Sequence, residues 1–405
     1  MTENSEPKGA LEGLLVLDLT RILAGPTATQ MLGDLGATVL KIENPKTGGD
    51  DTRGWGPPYA ETKDGQSDLS AYFIASNRNK YSISADLSTP EGRHLVRALA
   101  RRADVLIENY KPGGLQKYGL DFQAVSAENP GLVYCSISGF GQTGPNRDHP
   151  GYDLMAQGYG GIMSLTGAPD GPPMKVGVGI ADVMCGMYAA IGVLAALRHR
   201  DATGEGQHID LALVDAQMAW LVNEGTNYLT SGKLPERRGN AHPNIVPYDV
   251  FAARDGHVII AVGNDTQYQR FCEVLDRPDL ATSVDYQTNS DRIRHRDALA
   301  PQISETLGRL SVAEILQKLQ SVQVPCGPIH DVRQALRSDQ AEARQAVVDM
   351  PHDKISRGAV SVLGNPLKFS RTPVAYRRVP PHFGQDNDLL SDLVEGIGKD
   401  EKSGE

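Results

Sequence analysis

The chain has 405 residues, including 43 glycines and 25 prolines, which is typical of a globular protein with two domains and many turns. Lysine and arginine total 40 against 50 acidic residues, and the net charge of −10 argues against a general nucleic-acid or anionic-membrane surface. The four cysteines are far apart without a CxxC spacing, so the sequence predicts neither a disulfide framework nor a zinc site, and it favours a cytoplasmic location.

Strand and helix patterns alternate from the start of the chain. Pro26 and Pro90 each stand in the first turn of a predicted helix, and Ser88 is the predicted cap of the second. This alternation predicts an α/β fold with a doubly wound, mostly parallel sheet. The polar stretch 44–69 between two of the units is expected to be a functional loop. Strands are predicted over 14–19, 37–43, 104–109 and 132–138, and helices over 25–35 and 88–102.

The domain prediction depends on a change of pattern after residue 205, where GEGQHIDLALVDAQMAWL indicates a strand and a helix before a polar, loop-like segment. The sequence YDVFAARDGHVIIAVG contains two strand-like runs around Asp255-Gly256, which indicates a β-hairpin in a smaller α+β domain. We therefore predict a large α/β domain over 10–205, a linker over 206–238, a small domain over 239–322, and a linker with a C-terminal return to the large domain over 323–405.

The sequence contains a dinucleotide-binding pattern and a long apolar run, but neither predicts a cofactor site or a membrane span. The GFGQTG stretch, 139–144, matches a dinucleotide-binding pattern, but Pro145 follows at once and prevents a helix from beginning where the pyrophosphate would bind. The polar N-terminus does not resemble a signal peptide, and the apolar run 183–197 is shorter than the ~20 residues of a membrane span. The histidines form no metal-ligand pattern, so we expect no bound metal, no permanent cofactor and no membrane partner.

A single carboxylate stands among small and aliphatic residues in GVGIADVMCG, 177–186. The apolar sequence that follows Asp182 predicts a buried helix, so this carboxylate lies at the start of a helix inside the protein. From these residues alone, Asp182 is either a helix cap or a functional carboxylate.

Several blocks of the sequence resemble, in order, those of the class III CoA-transferases. They are DLTRILAGPTATQMLGDLGATVLKIE, IENYKPG, SISGFGQTGP, GYDLMAQGYGGIMSLTG, GVGIADVMCGMYAAIGVLAAL and TGEGQHIDLALVDA. The GNAHPNIVPYDVF stretch is most similar to the succinyl-CoA:glutarate type within that family. The resemblance implies a Rossmann-like large domain, an interlocked, ring-like homodimer, and transfer of CoA between carboxylic acids, with the CoA thioester as substrate.

The resemblance assigns a nucleophile and its surroundings. Asp182 matches the family's aspartate, which attacks an acyl-CoA to give a mixed anhydride and then carries CoA as a thioester. Tyr152, Asp153 and Leu23 match residues that line the reacting centre. From the residues alone, Asp153 is equally a cap for the helix that follows it.

An acidic protein that binds CoA needs local cations. The resemblance matches family CoA contacts at Asn79, Lys80, Asn109, Tyr110 and Lys117, and the sequence adds Arg78 and Lys46 as candidates. Lys46 is expected to replace a phosphate-binding arginine of the family, where this chain has Asn44.

The substrate prediction is a succinyl-CoA donor and a dicarboxylate acceptor. The distal carboxylate needs a partner, for which Arg53, Arg237 and Arg238 are candidates, and His242 is expected to contact substrate. A 2-methylacyl-CoA racemase on the same fold and a non-catalytic CoA-binding protein remain alternatives. The racemases have a histidine where this chain has Tyr152, and tyrosine is a poor base at neutral pH, which favours transfer.

Overall fold

Six parallel strands form the central sheet in the computed structural model, which describes residues 9–65 and 67–389. Their spatial order is β3-β2-β1-β4-β5-β6, so the order reverses between β1 and β4. The strands are β1 Leu15–Leu19, β2 Thr38–Glu43, β3 Lys80–Ser84, β4 Val105–Glu108, β5 Val133–Ser138 and β6 His208–Ala212.

Helices cover both faces of this sheet, which explains why its inner strands are buried on both sides. One face packs against α1 and α6, and the other packs against α3 and α4. The sheet is therefore doubly wound, as the alternating pattern predicts. The helices are α1 Ala24–Asp34, α2 Ala71–Ile74, α3 Pro90–Ala100, α4 Phe122–Ser126, α5 Asp153–Tyr159, α6 Ile180–Thr203, α7 Leu213–Ala219 and α8 Val222–Ser231, with 3₁₀ turns at Pro45–Thr47, Asp51–Gly54, Gln116–Tyr118, Ile162–Ser164 and Asn387–Leu389.

Helix α6 has 24 residues, more than the apolar run in the sequence indicates. By length and composition it is long enough to cross a membrane, but ten of its residues are buried in the protein, as in a core helix. Helices α6 and α1 are in close contact at Gly186, where an added Cβ would lie only 2.6 Å from the carbonyl oxygen of Ala24. The expectation that this segment is too short to span a membrane was wrong, and the expected burial is confirmed for ten of its residues, whereas Met187 and Ile191 are exposed.

The chain divides into two compact units. Of the described residues, the first contains 9–65, 67–163, 175–233 and 342–389, and the second contains 164–174 and 234–341. The second unit is built on an antiparallel sheet of three strands and has its own hydrophobic core. It contains β7 Tyr248–Ala253, β8 Gly256–Ala261, β9 Cys326–Pro328, α9 Asp265–Val274, α10 Pro278–Thr282, a 3₁₀ turn at Val284–Tyr286, α11 Asn289–Arg294, α12 Arg296–Gly308, α13 Val312–Ser321 and α14 Val332–Leu336; α15 Asp339–Ala343 leads to the hairpin of β10 Val347–Pro351 and β11 Ala359–Leu363 in the first unit.

The domain boundaries of the structure differ from the predicted ones. The stretch predicted as a linker, 206–238, contains β6, which pairs with β5 at the edge of the sheet, followed by α7 and α8. The second unit continues to residue 341 rather than 322 and also includes 164–174. Residues 390–405, the end of the predicted C-terminal return, lie outside the described residues. The cap of α3 is Thr89, whose side chain accepts from the Gly92 amide, rather than Ser88.

Candidate active site

A cleft of about 460 Å³ opens at the carboxyl ends of β1, β4 and β5. Its walls come from the segments that follow these strands and from the first turn of α6. The strand order reverses between β1 and β4, and in open α/β sheets ligands bind at this switch point. The topology thus places the cleft where a ligand site is expected.

Asp182 lies in the wall of this cleft, although its side chain is only 8% exposed. It is the third residue of α6, after the N-cap Gly179, so the structure does not support the alternative that Asp182 caps the helix. Burial, and secondarily the charge of Asp153, raises the pKa of Asp182 to about 7. A carboxylate near neutral pKa in a mostly dry wall is suited to nucleophilic or acid–base chemistry.

The start of α6 is capped by a side chain from another helix. The carboxylate of Asp153 accepts from the backbone amides of Ala181 at 2.9 Å and Asp182 at 3.4 Å. Gln157 donates to the other oxygen of Asp153 at 2.7 Å and accepts from the amide of Val176 at 2.9 Å. The sequence left open that Asp153 caps α5, the helix that follows it, but the structure does not support this cap. Asp153 instead orients the first turn of α6, which carries Asp182.

Tyr152 and Leu23 line the same cleft. Tyr152 precedes α5 and is 59% exposed, and Leu23 is the N-cap of α1. Leu23 packs close to the start of α6, since a Cβ added at Gly179 would lie 3.1 Å from its side chain. The structure brings both residues to the cleft that contains Asp182.

Three cationic side chains, Arg21, Lys111 and Lys117, line the cleft together with Asn109 and Tyr110. Asp51 also lines it and pairs with Arg21 at 2.7 Å, so the positive charge of Arg21 is offset within the cleft itself. Asn109 accepts from the amide of Arg21 at 3.0 Å and donates to its carbonyl at 2.8 Å, which ties the segments after β1 and β4 together. This combination of cations, an amide and a tyrosine is suited to a phosphorylated ligand.

Three predicted CoA contacts are engaged elsewhere in the first unit. Arg78 is paired with Asp34 at 2.5 Å, and Asn79 donates to the same carboxylate at 2.8 Å. Lys80 is fully buried and paired with Asp18 at 3.1 Å. None of these three residues lines the cleft, because each is bonded to a buried aspartate that is distant in sequence.

Two further predicted residues are also outside the cleft lining. Arg53 is buried and bonded to Glu43 at 2.7 and 2.8 Å, with its guanidinium over the ring of Phe73. Lys46 is exposed and paired with Asp86 at 2.9 Å. The structure therefore gives Arg53 a packing role in the loop after β2, and it places Lys46 on the surface.

The remaining candidates belong to the second unit. Arg237 donates to the carbonyl of Gly171 at 2.7 Å, and Arg238 donates to the carbonyl of Glu236 at 3.2 Å. The ring of His242 packs against Tyr248 and accepts from the amide of Asn244 at 3.1 Å. These contacts are all within the second unit.

Sequence reasoning did not assign Arg21, His149, Trp55 and Tyr72 to the site. The first three line the cleft, and Tyr72 packs edge-to-face on Trp55 with ring centroids 5.1 Å apart. Burial, followed by the charges of Asp182 and Asp153, raises the pKa of the Tyr72 hydroxyl. Arg21 had a usable signal, because it follows a buried strand whose carboxyl end faces the site, whereas no local pattern marks Tyr72 or His149.

Comparisons with known proteins agree in naming one family. The model of CoA-transferase family III matches residues 11–387. Among curated proteins, a succinate–glutarate CoA-transferase from Agrobacterium fabrum is 47% identical over 95% of this chain and 96% of its own, and a human succinyl-CoA:glutarate CoA-transferase is 39% identical over 93% and 84%. A solved structure of a CAIB/BAIF family protein from Brucella suis is 45% identical, covers 96% of this chain and all of its own, and superposes with a TM-score of 0.84.

Proposed function

The chain belongs to CoA-transferase family III and is a CoA-transferase, and we propose on this basis that it moves CoA from succinyl-CoA to a dicarboxylic acid by covalent catalysis at Asp182. The observation that carries the mechanism is the placement of Asp182, a buried carboxylate at the head of α6, in the wall of a cleft that Lys111 and Lys117 also line. The names of the similar succinate–glutarate and succinyl-CoA:glutarate enzymes support the choice of substrates.

The chemistry proceeds as two pairs of acyl exchanges. The Asp182 carboxylate attacks the thioester carbonyl, the C–S bond breaks, and CoA leaves as a thiolate while a mixed anhydride forms. The thiolate then attacks the aspartyl carbonyl of the anhydride and releases the donor acid as a carboxylate. The acceptor carboxylate reverses the two steps, so no net proton, electron or water is consumed.

Burial of Asp182 protects both intermediates. Anhydrides and thioesters are hydrolysed by water, and a nucleophile that is 8% exposed limits access of water to the acyl carbon. The start of α6 adds a favourable field for negative charge that develops beside Asp182. We assign the phosphates of CoA to Lys111 and Lys117, because Arg21 is already paired with Asp51, and the adenine to the neighbourhood of Tyr110 and Tyr118, which line the same cleft.

We also propose that the chain acts as a homodimer, as the family resemblance implies. The first unit exposes a set of large apolar side chains on three consecutive helices, and such sets mark interaction surfaces. They are Met187 and Ile191 on α6, Met218 on α7, and Val222 and Leu229 on α8. Size measurement by light scattering tests this proposal, and a monomer at micromolar concentration would contradict it.

Mass spectrometry tests the covalent mechanism. After incubation with succinyl-CoA, the wild-type protein should carry CoA on the peptide that contains Asp182, and the folded Asp182→Ala variant should carry none and transfer none. Near-native turnover by that variant would overturn the mechanism. Solvent deuterium entering a 2-methylacyl-CoA at a rate rivalling transfer would instead support the racemase alternative.

A panel of acceptors tests the substrate proposal. With succinyl-CoA as donor, glutarate and adipate should be used better than acetate and butyrate. If Arg237 or Arg238 binds the distal carboxylate, its replacement by alanine should raise KM for the diacids about ten- to a hundredfold and leave KM for the monoacids nearly unchanged. A wild-type preference for acetate or butyrate over every diacid would remove the dicarboxylate proposal and leave CoA transfer standing.

A further inference from the structure

The turn between β1 and α1 contains a backbone conformation that its residue disfavours. Ile22 has a φ of 74°, in the left-handed region, where β-branched side chains are rare because their Cβ crowds the backbone. Glycine or asparagine adopts this conformation more readily. Such strain persists only where the surrounding structure imposes it, and it is concentrated at functional sites.

Side chains from neighbouring strands and loops hold this turn by its backbone. Lys41 on β2 donates to the carbonyl of Thr20 at 2.9 Å. The amide of Ile22 donates to Asp50 at 3.2 Å, in addition to the two bonds between Asn109 and Arg21. The strained residue and both residues before it are therefore each fixed through the main chain.

Two of these side chains form a fully buried ion pair. Lys41 and Asp50 are 2.8 Å apart, and neither side chain is exposed. Burial alone lowers the pKa of Lys41, but the carboxylates of Asp50 and Asp18 more than offset it, so that its pKa is raised. A buried ion pair contributes little to stability relative to apolar residues of similar size, and its best-attested use is to specify one conformation.

The far end of the turn packs against α6 on both sides of Asp182. Leu23 meets the backbone at Gly179, three residues before Asp182, and the carbonyl of Ala24 meets Gly186, four residues after it. Neither glycine has room for a side chain without a shift of its neighbour. A displacement of the turn would therefore displace the wall beside the carboxylate.

We propose that Lys41 and Asp50 are positioning residues, which hold Ile22 in the left-handed conformation so that Leu23 and Ala24 stay packed against the first turns of α6 around Asp182. The inference rests on the proposed role of Asp182 in CoA transfer. Because the left-handed conformation of Ile22 is strained, the turn would relax to another conformation without the buried Lys41–Asp50 pair. The pair therefore sets the geometry of the cleft although it does not line it.

The test compares two paired variants in the full-length enzyme. Lys41→Met/Asp50→Asn keeps an oxygen acceptor for the Ile22 amide, whereas Lys41→Met/Asp50→Ala removes it. Transfer of CoA should be slowed roughly tenfold or more in the alanine pair, and much less in the asparagine pair, because a misplacement of about 1 Å is costly in rate. Arg200→Met/Asp104→Asn, which removes a pair at the amino end of β4, is the matched control and should leave the rate within about twofold.

Rescue separates positioning from loss of structure. Ile22→Gly should slow the wild-type enzyme, because it removes a cleft side chain, but it should accelerate the alanine pair about threefold or more, because glycine adopts the left-handed conformation without strain. A merely structural role for the pair predicts further loss instead. If the alanine pair does not fold, the asparagine pair is tested instead. The proposal is overturned if the folded asparagine pair transfers CoA tenfold more slowly than wild type and Ile22→Gly does not restore the rate.

Failure of this inference is distinguishable from failure of the proposed function. A wild-type enzyme that never carries CoA on Asp182 contradicts the covalent mechanism. The positioning role is then tested by whether Ile22→Gly raises the overall rate of CoA transfer in the alanine pair. A folded alanine pair that forms the CoA adduct at the wild-type rate contradicts the positioning role alone.

Discussion

Asp182 must be ionised to attack a thioester, yet its surroundings favour the acid. Burial and the nearby charge of Asp153 both oppose the carboxylate, so that its pKa is near 7 instead of 3.8. The less stabilised carboxylate is also the more reactive one, because a carboxylate of higher pKa is a better nucleophile. Two predictions at the scale of this residue follow from the raised pKa.

The first concerns rate. We expect kcat/KM for succinyl-CoA to rise tenfold per pH unit below about 7 and to level off above it, because only the carboxylate of Asp182 attacks. A pH–rate profile of the free enzyme measures the midpoint. A profile flat from pH 5 to pH 8 would contradict an ionisation of Asp182 near neutrality.

The second concerns stability. The folded protein binds the Asp182 proton up to a pH near 7, whereas the unfolded chain releases it near 3.8, so Asp182 costs stability progressively as the pH rises through this window. Asp182→Asn should therefore stabilise the protein, by an amount of the order of 4 kcal/mol at pH 8 and close to zero at pH 4. Denaturant titration at both values measures it, and an asparagine variant equally stable with wild type at pH 8 would refute the cost.

The residues of the site were only partly predictable. Resemblance and sequence order led to Asp182, Tyr152 and Leu23, and the structure brings all three to one cleft. Arg78 was assigned to CoA because it is cationic, and Lys80 because it matches a family CoA contact, but their partners Asp34 and Asp18 come from separate segments. A charge in a sequence does not reveal its partner, so these residues could not be separated from Lys117 in advance.

At the scale of elements, the first turn of α6 depends on α5. Asp153 receives two α6 amides, and Gln157 holds its other oxygen. This arrangement stabilises the helix start and at the same time raises the pKa of Asp182. One side chain thus influences both the position and the charge of the residue beside it.

Replacement of Asp153 separates these two effects. Asp153→Ala should cost about 1 kcal/mol of stability through the lost cap. Asp153→Asn retains an acceptor but removes the negative charge, so the midpoint of the pH–rate profile should move to lower pH while staying above 4, because burial is the larger cause. Asp215→Asn, an exposed acidic residue in the first turn of α7, is the control and should not move the midpoint.

The sequence predicted the inner elements better than the edge. Strands β1, β4 and β5 are buried on both faces and are mostly apolar in sequence. Strand β6 lies at the edge, is only partly buried, and alternates polar with apolar residues, so a strand was predicted there but it was placed in the linker rather than in the sheet. The edge position, which only the fold reveals, is the physical reason for that difference.

At the scale of the whole molecule, an acidic chain with a net charge of −10 places Arg21, Lys111 and Lys117 in one cleft, where Asp51 offsets the charge of Arg21. Focused positive potential within a negative surface attracts an anionic ligand locally without general binding to polyanions. Fold class could be predicted from element order, whereas this concentration of charge depends on the segments after β1 and β4 meeting.

This charge distribution predicts a specific effect on affinity. Lys111→Ala should raise KM for succinyl-CoA about tenfold with little change in kcat, and should weaken the dependence of KM on salt, because one phosphate contact is lost. Lys368→Ala, an exposed lysine outside the cleft lining, is the control. Equal effects of the two substitutions would contradict the assignment of the CoA phosphates to this cleft.

The nucleophile and the rim of the cleft are supported differently. Asp182 stands on a 24-residue helix locked to α1 at Gly186, whereas Trp55, Lys111, His149 and Tyr152 stand in loops. Insertions and substitutions are tolerated far better in loops than between packed helices. Substitutions in the rim loops are therefore expected to change which carboxylic acid is accepted, while the chemistry at Asp182 is kept. Under laboratory selection for a new acceptor, we expect the first substitutions in these loops.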